Sequence, residues 1–195
     1  VDEACRINEV DGDTRLRIGA FLSERLKGQL YERGYDKDLA VLAISVIGRM
    51  PNQALRLMEA LTEVREQEWF GNLAVRVRNI LQKAGREVQR GERLEADPSL
   101  MTVQAERELD AAVSNLEPSV RIALESHDWQ ALMELLAKLS PVVTTFFDDV
   151  MVMDRDEAVR NNRLMILERC GALFSEVGDI GSIKLASAEE PAPKG

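Results

Sequence analysis

Apolar residues along this chain recur at intervals of three and four, the period of helices that bury one face. The first stripe is Ile18, Leu22, Leu26 and Leu30, with Phe21 beside it. Asp13 or Thr14 is placed to cap its start by accepting from a free backbone N–H, and Gly34 to end it after about Arg33. A second helix opens at Asp36 or Asp38 and buries Leu39, Leu42, Ala43, Val46 and Ile47, until Gly48 and Pro51 break the pattern. Pro51 suits the first turn of a third helix, whose stripe is Ala54, Leu57, Met58, Leu61 and Val64. A fourth, from about Gln67 to Ala84, turns Trp69, Leu73, Val77, Ile80, Leu81 and Ala84 inward.

Gly85 to Ser99, with Gly91, Pro98 and many charges, reads as a connection too long for a tight turn. A fifth helix from about Thr102 repeats Leu109, Ala112, Leu116, Val120, Ala123 and Leu124, and Pro118 marks a kink or restart. Asp128 caps a sixth, which carries Leu132, Leu135 and Leu136 and stops at Ser140-Pro141. A further helical stretch includes Val142 to Val150. The last, about Glu157 to Val177, packs Val159, Ile166, Leu167, Cys170, Leu173, Phe174 and Val177, with Asp154 or Asp156 as its cap. No segment alternates like a strand, and no hairpin turn or fixed-period repeat stands out. The expected fold is an all-α bundle of roughly seven helices.

A length of 195 residues suits one ordinary domain with tails. Residues 1–12 read as the remnant of an upstream linker, 13–184 as the helical domain, and 185–195 as a disordered low-complexity tail. Opening on Val1 rather than Met suggests a piece of something longer. A formal charge of −9 argues against coating nucleic acid by bulk attraction, so any RNA contact has to come from a local basic face. Cys5 and Cys170 lie far apart, which fits a reducing cytoplasm and indicates neither a disulfide framework nor a zinc site. No apolar run is long enough for a membrane span, and no signal peptide is evident.

The search for chemistry is mostly negative. The one histidine, His127, precedes a helix start and reads as a surface or capping residue; alone, it makes no histidine-pair metal site. There is no glycine-rich phosphate loop and no nucleophile–base pairing. The acidic run Asp148, Asp149, Asp154, Asp156 and Glu157 lacks the glycine and the terminal Glu spacing of a calcium loop.

The basic segment is more informative. Arg76, Arg78, Lys83, Arg86, Arg90 and Arg93 cluster in an otherwise acidic chain. On a helical wheel Asn72, Arg76, Asn79 and Lys83 line one flank of the fourth helix and Arg78 the other. Such a stripe can reach phosphates and base edges together, although a solvated face is the commoner outcome for charge at this spacing.

Three motifs carry a resemblance. Arg15-Leu16-Arg17-Ile18 with Phe21-Leu22-Ser23-Glu24-Arg25-Leu26 and Gly34-Tyr35 comes first, then Arg76-Val77-Arg78-Asn79-Ile80-Leu81. Phe146-Phe147-Asp148-Asp149-Val150-Met151-Val152-Met153, followed by Arg160-Asn161-Asn162-Arg163-Leu164, closes the set. Together they resemble, over residues 14–184 and in the right order, the C-terminal anticodon-binding domain of the bacterial glycyl-tRNA synthetase β subunit. That domain is related to the helical anticodon-binding domains of arginyl- and cysteinyl-tRNA synthetases.

The resemblance implies a tRNA-binding module without its own catalytic residues, metal or cofactor. Its parent enzyme uses ATP and magnesium to join glycine to its tRNA. The implied partners are glycine tRNA at its anticodon, the remainder of β and the α subunit, with no membrane and no DNA. Glycine codons begin GG, so every glycine anticodon ends in two cytosines, which offer an N4 donor with O2 and N3 acceptors. Candidate RNA contacts are Arg76, Arg78, Asn79, Lys83 and Arg86, with Arg160 and Arg163 added if the last helix packs alongside. The alternative is a helical scaffold domain that contacts other parts of the synthetase and touches tRNA little.

Overall fold

The structure, a computed structural model, describes residues 11–47, 51–67, 69–86 and 95–180. In chain order these form α1 (Gly12–Glu32), α2 (Lys37–Ile47), α3 (Pro51–Val64), a π-helical turn (Trp69–Leu73) and α4 (Ala74–Lys83). A 3-10 turn (Pro98–Leu100), α5 (Gln104–Ser126), α6 (Trp129–Ala137), α7 (Leu139–Asp149) and α8 (Glu157–Ser175) follow. There is no strand among the described residues, and the all-α expectation holds. Of the linker assigned to residues 1–12, residues 1–10 lie outside the described residues, as do the stop at Gly48, Gly91, Arg90 and Arg93, and the tail, while Asp11 and Gly12 belong to the start of α1.

Local chemistry sets the helix ends. Asp11, rather than Asp13 or Thr14, caps α1: its carboxylate accepts from Thr14 N at 2.9 Å and from Thr14 Oγ1 at 2.7 Å. Asp13 thereby falls in the first turn, where a negative charge suits the helix dipole. At the other end Gly34 takes φ 83°, and the bond from Tyr35 N to Leu30 O at 3.1 Å closes the turn. Asp36 starts α2 by accepting from Asp38 N and Leu39 N. Asp128 caps α6 through Ala131 N, and His127 occupies the left-handed C-cap of α5 at φ 55°.

Two prolines behave differently from their sequence expectation. Pro118 neither kinks out nor restarts a helix, since α5 runs through it. It sits on the exposed side, where water can serve the carbonyl that loses its donor. Ser140-Pro141 does not stop a helix either. The break comes at Lys138, and Pro141 falls in the first turn of α7, where a missing N–H costs no intrahelical bond.

The core forms around α8, which is buried on several sides because α4 and α5 flank it. α5 also packs on α6 and α7, while α1, α2 and α3 follow one another and join the rest through α3 against α6. The π turn explains an apolar residue absent from the straight-helix stripe. Its wider repeat turns adjacent Trp69 and Phe70 inward together. Trp69 then stacks on Phe174 of α8, with ring centroids 6.0 Å apart. After α8, Gly178 at φ 97° lies so close to α2 that a Cβ there would stand 2.5 Å from Leu42 Cδ1.

The expected face of α1 is only half used. Leu30 is buried, Ile18 and Leu26 are half-buried, but Phe21 remains 69% exposed. The 11 residues of α2 cannot cover the 21 of α1, so the first turns of α1 extend past their partner.

Phe146 and Phe174, at 0% and 3% exposure, are load points of this core. Truncating either to Ala is expected to cost about 3–5 kcal/mol in denaturant titration. A loss below about 1 kcal/mol would show rings that are not packed.

Candidate nucleic-acid interface

α4 is short and strongly two-sided. Ala74, Val77 and Leu81 are buried, and the helix lies against α8. That leaves Asn72, Arg76, Asn79 and Lys83 on the surface, all four exposed. The Arg76 guanidinium lies over the ring of Phe147, at 4.2 Å from its centroid, and makes no ion pair with a described residue. A ring beneath the guanidinium contributes about 0.5–1 kcal/mol at an exposed site and leaves the N–H edges to solvent. α4 therefore offers two cations and one side-chain amide on its exposed face, with a second amide, Asn72, in the π turn before it.

The other candidates are engaged within the fold. Arg78, on the opposite flank, pairs with Asp179 at 2.8 Å and ties α4 to the segment after α8. Arg86 follows α4 and reaches α8, where Nη1 bonds both oxygens of Glu168 at 3.1 and 3.2 Å and Nη2 bonds Asn161 Oδ1 at 3.1 Å. Arg160 is half-buried and donates to the carbonyl of Asp154 at 2.8 Å. α8 does pack alongside α4, the condition on which Arg160 and Arg163 entered the candidate set, but this does not bring Arg163 to the stripe.

Arg163 is an internal residue, 4% exposed. Its Nε donates to Glu106 Oε1 at 2.6 Å, Nη1 to the Met151 carbonyl at 2.9 Å and to Asp154 Oδ2 at 2.7 Å, and Nη2 to Thr102 Oγ1 at 3.2 Å. Glu106, fully buried, spends its other oxygen on Val103 N at 2.6 Å, closing the first turn of α5. Next to it Asn162 clasps the backbone of Asp97, accepting from N at 2.7 Å and donating to O at 3.0 Å. The Arg-Asn-Asn-Arg run is thus a fastener. It draws the connector before α5, the corner after α7 and the end of α4 onto the first turns of α8.

The corner itself is held by carboxylates. Asp156 caps α8 through Ala158 N and Val159 N. Asp154 lies below the usual carboxylate range because it accepts from Asp156 N and from Arg163. Among the described residues no cluster of three or more His, Cys, Asp or Glu is arranged to hold a metal, and no helix is long and apolar enough to cross a membrane. Cys170, wholly buried in α8, has its thiol pushed up to about 12 by burial and is inert.

Sequence reasoning missed the partners more than the residues. Glu106, Phe147 as the seat of Arg76, and Asp97 carry no local signal, since each meets its partner tens of residues away.

Comparison with known proteins gives a consistent result. The family model described as "DALR anticodon binding domain" matches residues 73–185, which contain α4, the fastener and all of α8. The "Glycine--tRNA ligase beta subunit" of Anaeromyxobacter dehalogenans (strain 2CP-C) is 39% identical over 176 residues, 88% of this chain and 24% of that protein. The protein of the same name from Myxococcus xanthus (strain DK1622) is 37% identical over 138 residues, 69% of this chain and 19% of that protein. The one from Acidobacterium capsulatum is 32% identical over 177 residues, 87% of this chain and 25% of its own length. The chain spans about a fifth to a quarter of the length of these curated relatives.

Arg163→Ala would strand the Glu106 carboxylate in the core, and a loss of about 3–5 kcal/mol is expected. Asp154 adds an acid limit. Its folded pKa lies below that of an ordinary aspartate, so its contribution is complete above the ordinary value and disappears as the pH falls through the folded one. Asp154→Asn is expected to be less stable at neutral pH and to lose less on acidification. Denaturant midpoints from pH 7 down to pH 3 check both; parallel curves for the two proteins would remove Asp154 from the account.

Proposed function

The chain belongs to the DALR anticodon-binding domain family, and on that premise we propose that it is the tRNA-binding module of a glycine–tRNA ligase β subunit. The observation that carries this reading is the exposed face of α4, where Arg76, Asn79 and Lys83 stand together on a helix inside the matched segment. Arg76 and Lys83 hold phosphates of a single-stranded anticodon loop, and Asn79, donor and acceptor at once, meets the edge of a cytosine. The module positions glycine tRNA in the cytoplasm. ATP, magnesium and the joining of glycine belong to the α subunit and the remainder of β.

Binding of this chain to a glycine tRNA anticodon stem–loop, followed across salt concentration, tests the proposal. Each phosphate neutralised in single-stranded RNA steepens log K against log salt by about 0.7. Arg76→Glu with Lys83→Glu is expected to weaken binding and to flatten the slope by about 1.4, two such contacts. Asn79→Ala is expected to keep the slope and reduce discrimination against substituted anticodons. If the double reversal changes neither binding nor charging by the reassembled enzyme, the stripe is only a solvated face. Binding to other synthetase parts but not to tRNA would instead favour a scaffold role.

The chain alone is expected neither to activate glycine nor to charge tRNA. Glycine-dependent pyrophosphate exchange by the purified chain would contradict this.

A further inference from the structure

The corner between α7 and α8 exposes two large apolar side chains that packing does not require. The chain leaves α7 extended at Val150, with φ −115° and ψ 119°, and then bends at Val152 and Met153. Val150 and Val152 point inward at 5% and 7% exposure, while Met151 and Met153 stand out at 75% and 54%. The segment is fixed from behind. Arg163 holds the Met151 carbonyl, Asp154 N bonds Val152 O at 3.0 Å, and Arg160 holds the Asp154 carbonyl. Two exposed thioethers are thus presented on a pre-organised backbone.

We infer that Met151 and Met153 form an apolar platform for unstacked bases of the same RNA loop whose phosphates meet α4, an inference that rests on the function proposed above. Position favours this occupant. Phe147, the ring under Arg76, is only four residues from Met151, about 13 Å at full extension. Charge divides the two surfaces. Arg76 and Lys83 draw phosphates to the helix, whereas exposed Asp148 and Asp149 repel them from the corner. A base that turns away from the phosphates reaches a surface that offers polarizable sulfur and apolar carbon. Methionine is suited to this contact, because its thioether packs favourably on aromatic rings and its unbranched chain adapts to them.

The test uses the full chain with a glycine tRNA anticodon stem–loop and three double variants. Met151→Ala with Met153→Ala, both exposed and expected to leave the fold intact, should weaken binding by about three- to thirtyfold with the salt slope unchanged. Met151→Leu with Met153→Leu should recover most of that loss. RNA should also slow peroxide oxidation of both methionines, read by mass spectrometry. If the alanine pair binds like the parent chain and RNA leaves oxidation unaltered, while Arg76→Glu with Lys83→Glu still weakens binding, the platform is wrong and the function stands. If no variant changes binding, both the platform and the α4 stripe are wrong and the RNA contact lies elsewhere; if the parent chain itself does not bind the stem–loop, the function falls. If the alanine pair weakens only the association with other synthetase parts, the corner is a protein contact and the inference is overturned.

Discussion

One buried ion pair, Arg163 with Glu106, is the constraint on which the C-terminal half of this molecule depends. In energy terms such a pair roughly breaks even, because desolvating both charges offsets their attraction. Its effect is geometric. Glu106 can hold its place in α5 only if Arg163 meets it, and Arg163 can be buried only if its remaining donors are satisfied. Those donors are met by Thr102, Met151 and Asp154, one from before α5 and two from the corner after α7. The pair therefore fixes where two irregular segments run, a task for which apolar packing, being non-directional, is poorly suited.

The same logic explains how a chain of net charge −9 can present a basic face. Arginines 78, 86, 160 and 163 are consumed by carboxylates and carbonyls inside the fold. Arg76, seated on Phe147, escapes this because an aromatic ring holds it without neutralising it. What counts for an anionic partner is the charge left unneutralised within about one Debye length, roughly 8 Å at physiological salt, and not the total. Long-range steering is unfavourable for this chain; close contact at α4 is not.

The helical periods were legible because they are local. The stripes of α2 and α3 emerged as expected, and so did the caps at Asp36, Asp128 and Asp156, since a cap is settled within three residues. The errors share a cause. Phe70 was missed because a π turn departs from the period assumed, and the breaks assigned to Pro118 and Pro141 ignored where each ring falls on its helix. The candidate site was legible as residue types, not as availability. A wheel correctly separates Arg76 from Arg78, but nothing near Arg163 in sequence announces Glu106, 57 residues earlier.

These pairings also set how strictly the residues of the closing motif are constrained. A surface that binds RNA by phosphate contacts tolerates exchange of one cation for another at modest cost. A fastener does not. Arg163 uses its planar fork at four acceptors in different directions, which the point charge of a lysine cannot reproduce. Asn162 must both accept and donate to one backbone, which an aspartate cannot do when ionised. The strictest chemical demands in this protein thus fall on residues that do not face solvent, and they hold the surfaces on α4 and the corner in register with each other.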